Sequence, residues 1–359
     1  MCLSKVRKDF LSLVRLGINT NTSEPISADM DWLSLQALAE KQGLVGVVLD
    51  GIEKIPSKAD SMPAQMKLEW IGQVLQSYEV RYEQYRKAIN ELSAYYNDHG
   101  IKMMVLKGYA CALDWPVPKH RPCGDVDIWL FGKQKEADAL LEGKGIKIEK
   151  DEHHHTVFYW KGFMIENHYD FLNVHHHKSN VEYEAMLKNL GKDDSYYIED
   201  NGVKVYLPSP NLHALFLLRH MMSHFASTNI SMRQLLDWGF FVKAHTHEID
   251  WDLIENTVER FGMKRLYDVF NAICVGDLGF NVSIFPIVQF DPALKDRVMK
   301  EIVSPENYQK TPSNLLLRIP FKYRRWKENG WKHSLCFNDS MISAFWSGVK
   351  SHLLKPSSI

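Results

Sequence analysis

The segment Gly124-Asp125-Val126-Asp127-Ile128-Trp129-Leu130 constrains the fold more than any other part of the chain. Its alternation and its β-branched and aromatic residues read as a β-strand. Side chains at i and i+2 of a strand share a face, so Asp125 and Asp127 project together, with roughly 6–7 Å between their Cα atoms. Two like charges held that close are costly unless a cation lies between them, and hard divalent ions take oxygen ligands of this kind. Asp-x-Asp by itself also suits a turn or a solvated strand face, so the neighbouring residues decide the reading.

Upstream, Val105-Leu106-Lys107-Gly108 is an apolar run that ends in a cation and a glycine. Glycine permits a tight turn and lets backbone N–H groups approach an anion. Lys119, His120 and Arg121 add positive charge ahead of the aspartates. Downstream, Lys161-Gly162 reads as a hairpin turn between TVFYW and FMIENHYDF. Alternation along the second strand puts Glu166 and His168 on one face and Ile165 and Asn167 on the other. Glu166 thus supplies a third carboxylate, and Asp170 is a further candidate. Taken alone, Glu166 and His168 equally suit the surface of an edge strand.

Around this centre the pattern is mostly helical. Lys5–Leu16 is amphipathic, and Asp31–Gly43 runs from an Asp cap to a closing glycine. From Pro63 to His99 a long helix is predicted from Leu68, Ile71, Leu75, Tyr78, Tyr82, Tyr85, Ile89, Leu92 and Tyr96, spaced by threes and fours; it ends at Gly100. A packed seam accounts for that aromatic stripe. Residues 101–106 are predicted as a strand, Tyr109–Trp115 as a short helix, Lys133–Lys144 as a helix, and GIKIEK and residues 155–171 as further β structure. The expected architecture is α+β: a small mixed sheet with helices on one side, residues 100–207, between helical regions at 1–99 and 208–359.

In the C-terminal region the helix NLHALFLLRHMMSHF, capped by Ser209 or Asn211, carries His213, His220 and His224 near one face. Zinc ligation, phosphate contact and polar core packing all suit that spacing, although the glutamate of His-Glu-x-x-His is replaced by Met221. On SMRQLLDWGFFVKA, Arg233 and Asp237 are four apart and suit an ion pair with one another; Arg233 equally suits a triphosphate. In the triplets His153-His154-His155 and His175-His176-His177 the three members cannot all ligate one ion, because consecutive strand residues face opposite ways; a single member touching substrate suits them better than a histidine-rich metal site. The tail mixes Arg318, Lys322, Arg324, Arg325, Lys327 and Lys332 with Phe321, Tyr323, Trp326 and Trp331. That mixture suits a charged helix face, single-stranded nucleic acid or a membrane surface.

Forty-three basic and forty-four acidic residues leave no overall field for nucleic acid or an anionic membrane. The five cysteines are scattered, without a Cys-x-x-Cys pair, which points to a reducing compartment rather than a disulfide framework. The N-terminus has no continuous apolar stretch and no run spans a bilayer, so a soluble, cytoplasmic protein is expected.

Lys-Gly at a turn, a short helix, Asp-x-Asp on the next strand, and a hairpin bearing a third acid resemble the nucleotidyltransferase superfamily with the polymerase-β-like fold. More narrowly, Gly100-Ile101, Leu106-Lys107-Gly108, Arg121, Gly124–Ile128, Ile165–His168, His220 with His224, and Leu235-Leu236-Asp237 resemble a bacterial group of uncharacterised nucleotidyltransferases, over most of residues 30–265. The chain departs from the superfamily at the turn, where Lys107-Gly108-Tyr109 replaces Gly-Gly or Gly-Ser, and in a longer gap from Gly108 to Asp125.

The resemblance implies transfer of a nucleoside monophosphate from an NTP, such as ATP, to a hydroxyl acceptor, with release of pyrophosphate. Asp125, Asp127 and Glu166 would hold two Mg²⁺ ions, or Mn²⁺, and Glu166 would alternatively take the acceptor's proton. Lys107, Gly108 and Arg121 would hold the triphosphate. His168 would position Glu166 or touch substrate, with His220, His224 and Arg233 as further substrate contacts. The acceptor stays open among small molecules, protein side chains and RNA ends. Two other functions fit the residues: a nucleotide-binding or scaffolding module on the same fold, and a metallohydrolase built on His220, His224 and Asp237.

Overall fold

The computed structural model describes residues 2–20, 25–151, 155–175, 177–286, 289–304 and 315–342. Five helices lead in: α1 (Cys2–Gly17), α2 (Trp32–Gln42), α3 (Val45–Glu53), α4 (Pro56–Ser61) and α5 (Ala64–Val74). Asp31 caps α2 by accepting from the Ser34 amide, and Gly43 closes it at φ 67°, a left-handed conformation that favours glycine. A π-helical segment, Leu75–Val80, joins α5 to α6 (Arg81–Asp98) without a break. The predicted helix from Pro63 to His99 is therefore present, with one local change of pitch.

That change matters for which face is buried. The predicted stripe holds from Tyr78 to Tyr96, but Leu68, Ile71 and Leu75 are exposed, and Trp70 and Val74 are buried instead. A π turn adds a residue to the helical repeat and rotates the stripe by about 100°.

The sheet has seven strands: β1 (Met104–Val105), β2 (Val126–Trp129), β3 (Glu149–Asp151), β4 (His155–Trp160), β5 (Phe163–His168), β6 (Tyr197–Asp200) and β7 (Val203–Tyr206), in the order β3-β4-β5-β2-β1-β7-β6. The segment predicted as a strand over 101–106 is regular only at Met104 and Val105. Between strands lie α7 (Gly108–Leu113), α8 (Gln134–Gly143) and α9 (Lys178–Leu190). After β7 come α10 (Pro210–Ser227), α11 (Met232–His245), α12 (Trp251–Arg260), α13 (Lys264–Gly276), α14 (Pro292–Val303), α15 (Leu315–Glu328) and α16 (Gly330–Cys336).

Strand alternation sorts the sheet residues into two cores. Met103, Val105, Val126, Ile128, Ile165 and Val205 face α6 and α8. Met104, Leu106, Trp129 and Tyr206 face a larger core shared with α1–α3, α5, α9–α14 and α16. Helices thus cover both faces of the sheet, not one as the sequence pattern suggested. The residues from Pro208 onward that alternation cannot place are gathered on the second face, because α10 and α11 are apolar on several sides and need burial all round.

Among the described residues, no helix is long and apolar enough to cross a membrane.

Candidate active site

β2 and β5 run parallel, and their register sets Asp127 beside Glu166. His168, two residues further on, shares the face of Glu166. β4 pairs antiparallel with β5 and sets His155 opposite His168. Three neighbouring strands therefore present two carboxylates and two imidazoles to the same side, facing α10. Single ligand atoms of Asp127, Glu166 and His168 lie within 4.8 Å of one another; among the described residues no other group of three or more His, Cys, Asp or Glu side chains converges so.

The charges interlock. Asp127 is 3% exposed. Lys107 Nζ donates to its Oδ1 at 2.6 Å, and His168 Nε2 lies 3.0 Å from the same oxygen and 3.5 Å from Glu166 Oε2. His168 Nδ1 is 3.1 Å from the Asp170 carbonyl, so that nitrogen carries a proton and donates it outward. Burial opposes charge on His168, but its hydrogen bonds to the two carboxylates prevail and raise its pKa to about 9. Burial likewise opposes the Asp127 charge, yet Lys107 and His168 hold its pKa far below the usual carboxylate range. Glu166 is also lowered: burial opposes its charge, but the His168 hydrogen bond together with the nearby His155 and Lys107 prevails. Asp125 is raised, by burial and by its neighbour Asp127. Its carboxylate lies outside the cluster of three, immediately before β2, so His168 takes the place in the constellation that spacing gave to Asp125.

Lys107 reaches this position from a backbone at φ 40°, rare for a residue with a side chain. The unusual conformation was expected at Gly108; it falls on Lys107. Gly108 is required for a different reason: a Cβ there would lie 2.9 Å from the Tyr85 hydroxyl, which donates to the Asp125 carbonyl at 2.8 Å. α10 closes the site from above. His220 Nε2 stands 3.2 Å from Lys107 Nζ and 3.1 Å from His224 Nε2. Burial, then the Lys107 charge, drives the His220 pKa well below its ordinary value, so it is neutral and offers a lone pair to the ammonium.

The structure separates the two arginines. Arg121 donates through Nε and Nη2 to Asp237 at 2.7 and 3.0 Å, both residues being buried, and Nη1 donates to the Pro122 carbonyl. Its fork is spent on Asp237, so the triphosphate contact expected of it has no free edge to use. Trp115 Nε1 donates to Asp237 as well. Arg233, the expected partner of Asp237, is half-buried and, among the described residues, makes no hydrogen bond or ion pair. Lys119 and His120 are likewise occupied: Lys119 pairs with Glu79, and His120 with Asp50 and Glu79. The Asp170 carboxylate binds Lys188, and only its carbonyl serves the site.

His220, His224 and Asp237 do not converge as a ligand set, since Asp237 faces Arg121 and Trp115. His213 is buried, with Cys111 Sγ 3.7 Å from its Nε2. In the basic tail, Lys332 is buried against Glu301 at 2.5 Å and Arg324 pairs with Glu328. His153, His154 and His176 lie outside the described residues, as do the side chains of Arg318 and Lys322.

A mixed sheet whose central parallel pair carries facing acids, flanked on both faces by helices, defines an α+β protein with a nucleotidyltransferase-like core. The chain belongs to the family described as uncharacterised nucleotidyltransferases, whose sequence profile matches residues 28–275. A solved structure, an antigenic nucleotidyltransferase-like protein from Paracoccidioides brasiliensis, is similar at 14% identity and a TM-score of 0.34, over 50% of this chain and 88% of that one. No curated protein matches the chain.

Proposed function

We propose that the chain transfers a nucleoside monophosphate from an NTP to a hydroxyl acceptor and releases pyrophosphate. The observation that carries this reading is the convergence of Asp127 and Glu166 on adjoining parallel strands, with Asp125 beside them and cations above. The donor atoms fit a divalent ion: one buried and one half-buried carboxylate, both ionised at neutral pH, with ligand atoms within reach of one centre. Mg²⁺, or Mn²⁺, bound by Asp125, Asp127 and Glu166 would neutralise phosphoryl charge and lower the pKa of the attacking hydroxyl.

The chain's own residues supply the rest. Glu166, ionised and partly accessible, accepts the proton of the acceptor hydroxyl. Arg233, without a hydrogen bond or ion pair among the described residues, and Lys107, which has His220 as a second partner, hold the triphosphate oxygens. Arg121 acts one step back: locked on Asp237, it fixes the loop from which Asp125 emerges. His224 and His220, both with lowered pKa values, contribute neutral imidazole edges rather than charge. The acceptor is a small molecule, a protein side chain or an RNA end.

Calorimetric titration of ATP, GTP, CTP and UTP with Mg²⁺ tests the reading. One NTP should bind to the wild type, and binding should vanish in the Asp125→Ala/Asp127→Ala double variant. Asp127→Asn should also abolish transfer of labelled nucleotide into lysate acceptors. If no NTP binds, or if Asp127→Asn retains turnover, the transferase reading fails.

A further inference from the structure

We propose that Asp127, Glu166 and His168 form a nitrogen-containing metal site that selects a first-row transition-metal dication over Mg²⁺. This deepens the functional reading, on whose metal-binding acids it rests, by naming the ion the site prefers.

The geometry of His168 carries it. With a proton on Nδ1 committed to the Asp170 carbonyl at 3.1 Å, the ring is held so that Nε2 points at the carboxylates, 3.0 Å from Asp127 Oδ1 and 3.5 Å from Glu166 Oε2. A backbone carbonyl on the outer nitrogen is the usual way a ligating imidazole is fixed in tautomer and orientation. The ring is 2% exposed and sits at the end of β5, so it cannot swing away without disturbing the sheet. The space between those three atoms is where a cation would take one nitrogen and two oxygen ligands.

Asp125 lies outside the converging set, so the three ligand atoms that already meet are one imidazole nitrogen and two carboxylate oxygens, with Asp125 beside them. Mg²⁺ prefers an all-oxygen shell, whereas imidazole suits the ions from Mn²⁺ to Zn²⁺. His155 strengthens the preference: its ring centroid is 5.4 Å from that of His168, and its Nε2 is 3.9 Å from Glu166 Oε1. A second imidazole thus stands against the carboxylate of the same site. Lys107 supplies the means of vacating Asp127 Oδ1, because His220 Nε2 already lies 3.2 Å from its ammonium.

The test uses the full chain, stripped of metal and free of nucleotide. Mn²⁺ is titrated by electron paramagnetic resonance, Mg²⁺ is used as competitor, and pulsed measurements read ¹⁴N coupling on the bound ion. Mn²⁺ should bind roughly tenfold or more tightly than Mg²⁺. A ¹⁴N coupling should be present in wild type and in His155→Gln and absent in His168→Gln. Should His168→Gln not fold, wild type decides alone: bound Mn²⁺ without ¹⁴N coupling overturns the proposal. Equal affinity for the two ions, or coupling that survives His168→Gln, also overturns it. Mg²⁺-dependent NTP binding alongside any of these results leaves the transferase reading standing. Absence of any divalent ion binding removes both.

Discussion

Arg121 and Asp237 meet in a buried two-pronged ion pair, 116 residues apart in sequence, that ties the approach to β2 to the middle of α11. Removing one partner strands the other's charge away from water, which typically costs about 3–5 kcal/mol. Asp237→Asn and Arg121→Met should each lower unfolding free energy by about that amount in urea titrations. Arg233→Gln should shift stability by less than about 1 kcal/mol, since no pair is broken, while weakening NTP binding. Equal destabilisation by Arg233→Gln and Asp237→Asn would place Arg233 in the structural network instead.

Gly108 and Tyr85 should be energetically coupled. Gly108→Ala pushes a methyl group against the Tyr85 hydroxyl, at a cost of about 1–3 kcal/mol for overpacking. Tyr85→Phe removes the obstruction but also the hydrogen bond to the Asp125 carbonyl. The double variant should therefore be more stable than the sum of the single effects predicts, by about 0.5 kcal/mol or more. Strict additivity in the double-mutant cycle would show that the contact is relieved elsewhere.

Lys107→Met leaves Asp127 with His168 as its remaining cation. The loss of one of two partners to a buried carboxylate should destabilise the metal-free protein by about 3 kcal/mol, the lower end of what a broken buried pair costs. Thermal or urea unfolding in the presence of a chelator reads this directly. A change of under about 1 kcal/mol would mean that the ammonium contributes little to holding the apo site.

His213 predicts sensitivity to acid. Its pKa is pushed down to about 3, first by burial and then by His245 and Arg121. The folded-state value lies below the unfolded value of about 6.5, so this residue's contribution is intact above that pH and is lost as pH falls towards 3. Between pH 7.5 and 5.5 the loss from His213 amounts to about 1.4 kcal/mol. His213→Leu should flatten the wild-type pH dependence by that amount when unfolding is measured at the two values. An unchanged slope would contradict a buried neutral His213.

Local chemistry made much of the fold readable. The β2 strand, the Lys161-Gly162 hairpin, the Asp31 cap with its closing Gly43, and the long helix all follow from neighbours within a few residues. Glu166 was readable as an acid on the right face, because alternation within one strand fixes it. The partners of Arg121, Lys119 and His120 were not, since each pair joins residues 40 or more positions apart and only the folded chain brings them together. His168 was visible as a neighbour of Glu166, but its part in the ligand cluster depends on the parallel pairing of β5 with β2. No pattern inside either strand encodes that pairing. The exposure of Leu68, Ile71 and Leu75 is not legible in the sequence, because an unbroken three-and-four spacing looks the same with or without a π turn.

That π turn also does something for the molecule as a whole. Trp70 and Val74 belong to the core shared with the N-terminal helices, whereas Tyr82, Tyr85 and Ile89 belong to the core beneath the sheet. One continuous rod therefore meshes with two separate gears, and the extra residue is the offset that lets both sets of teeth engage. Deleting a single residue from Leu75–Val80 would preserve the rod and disengage one gear, either the N-terminal bundle or the wall on which Tyr85 steadies Asp125.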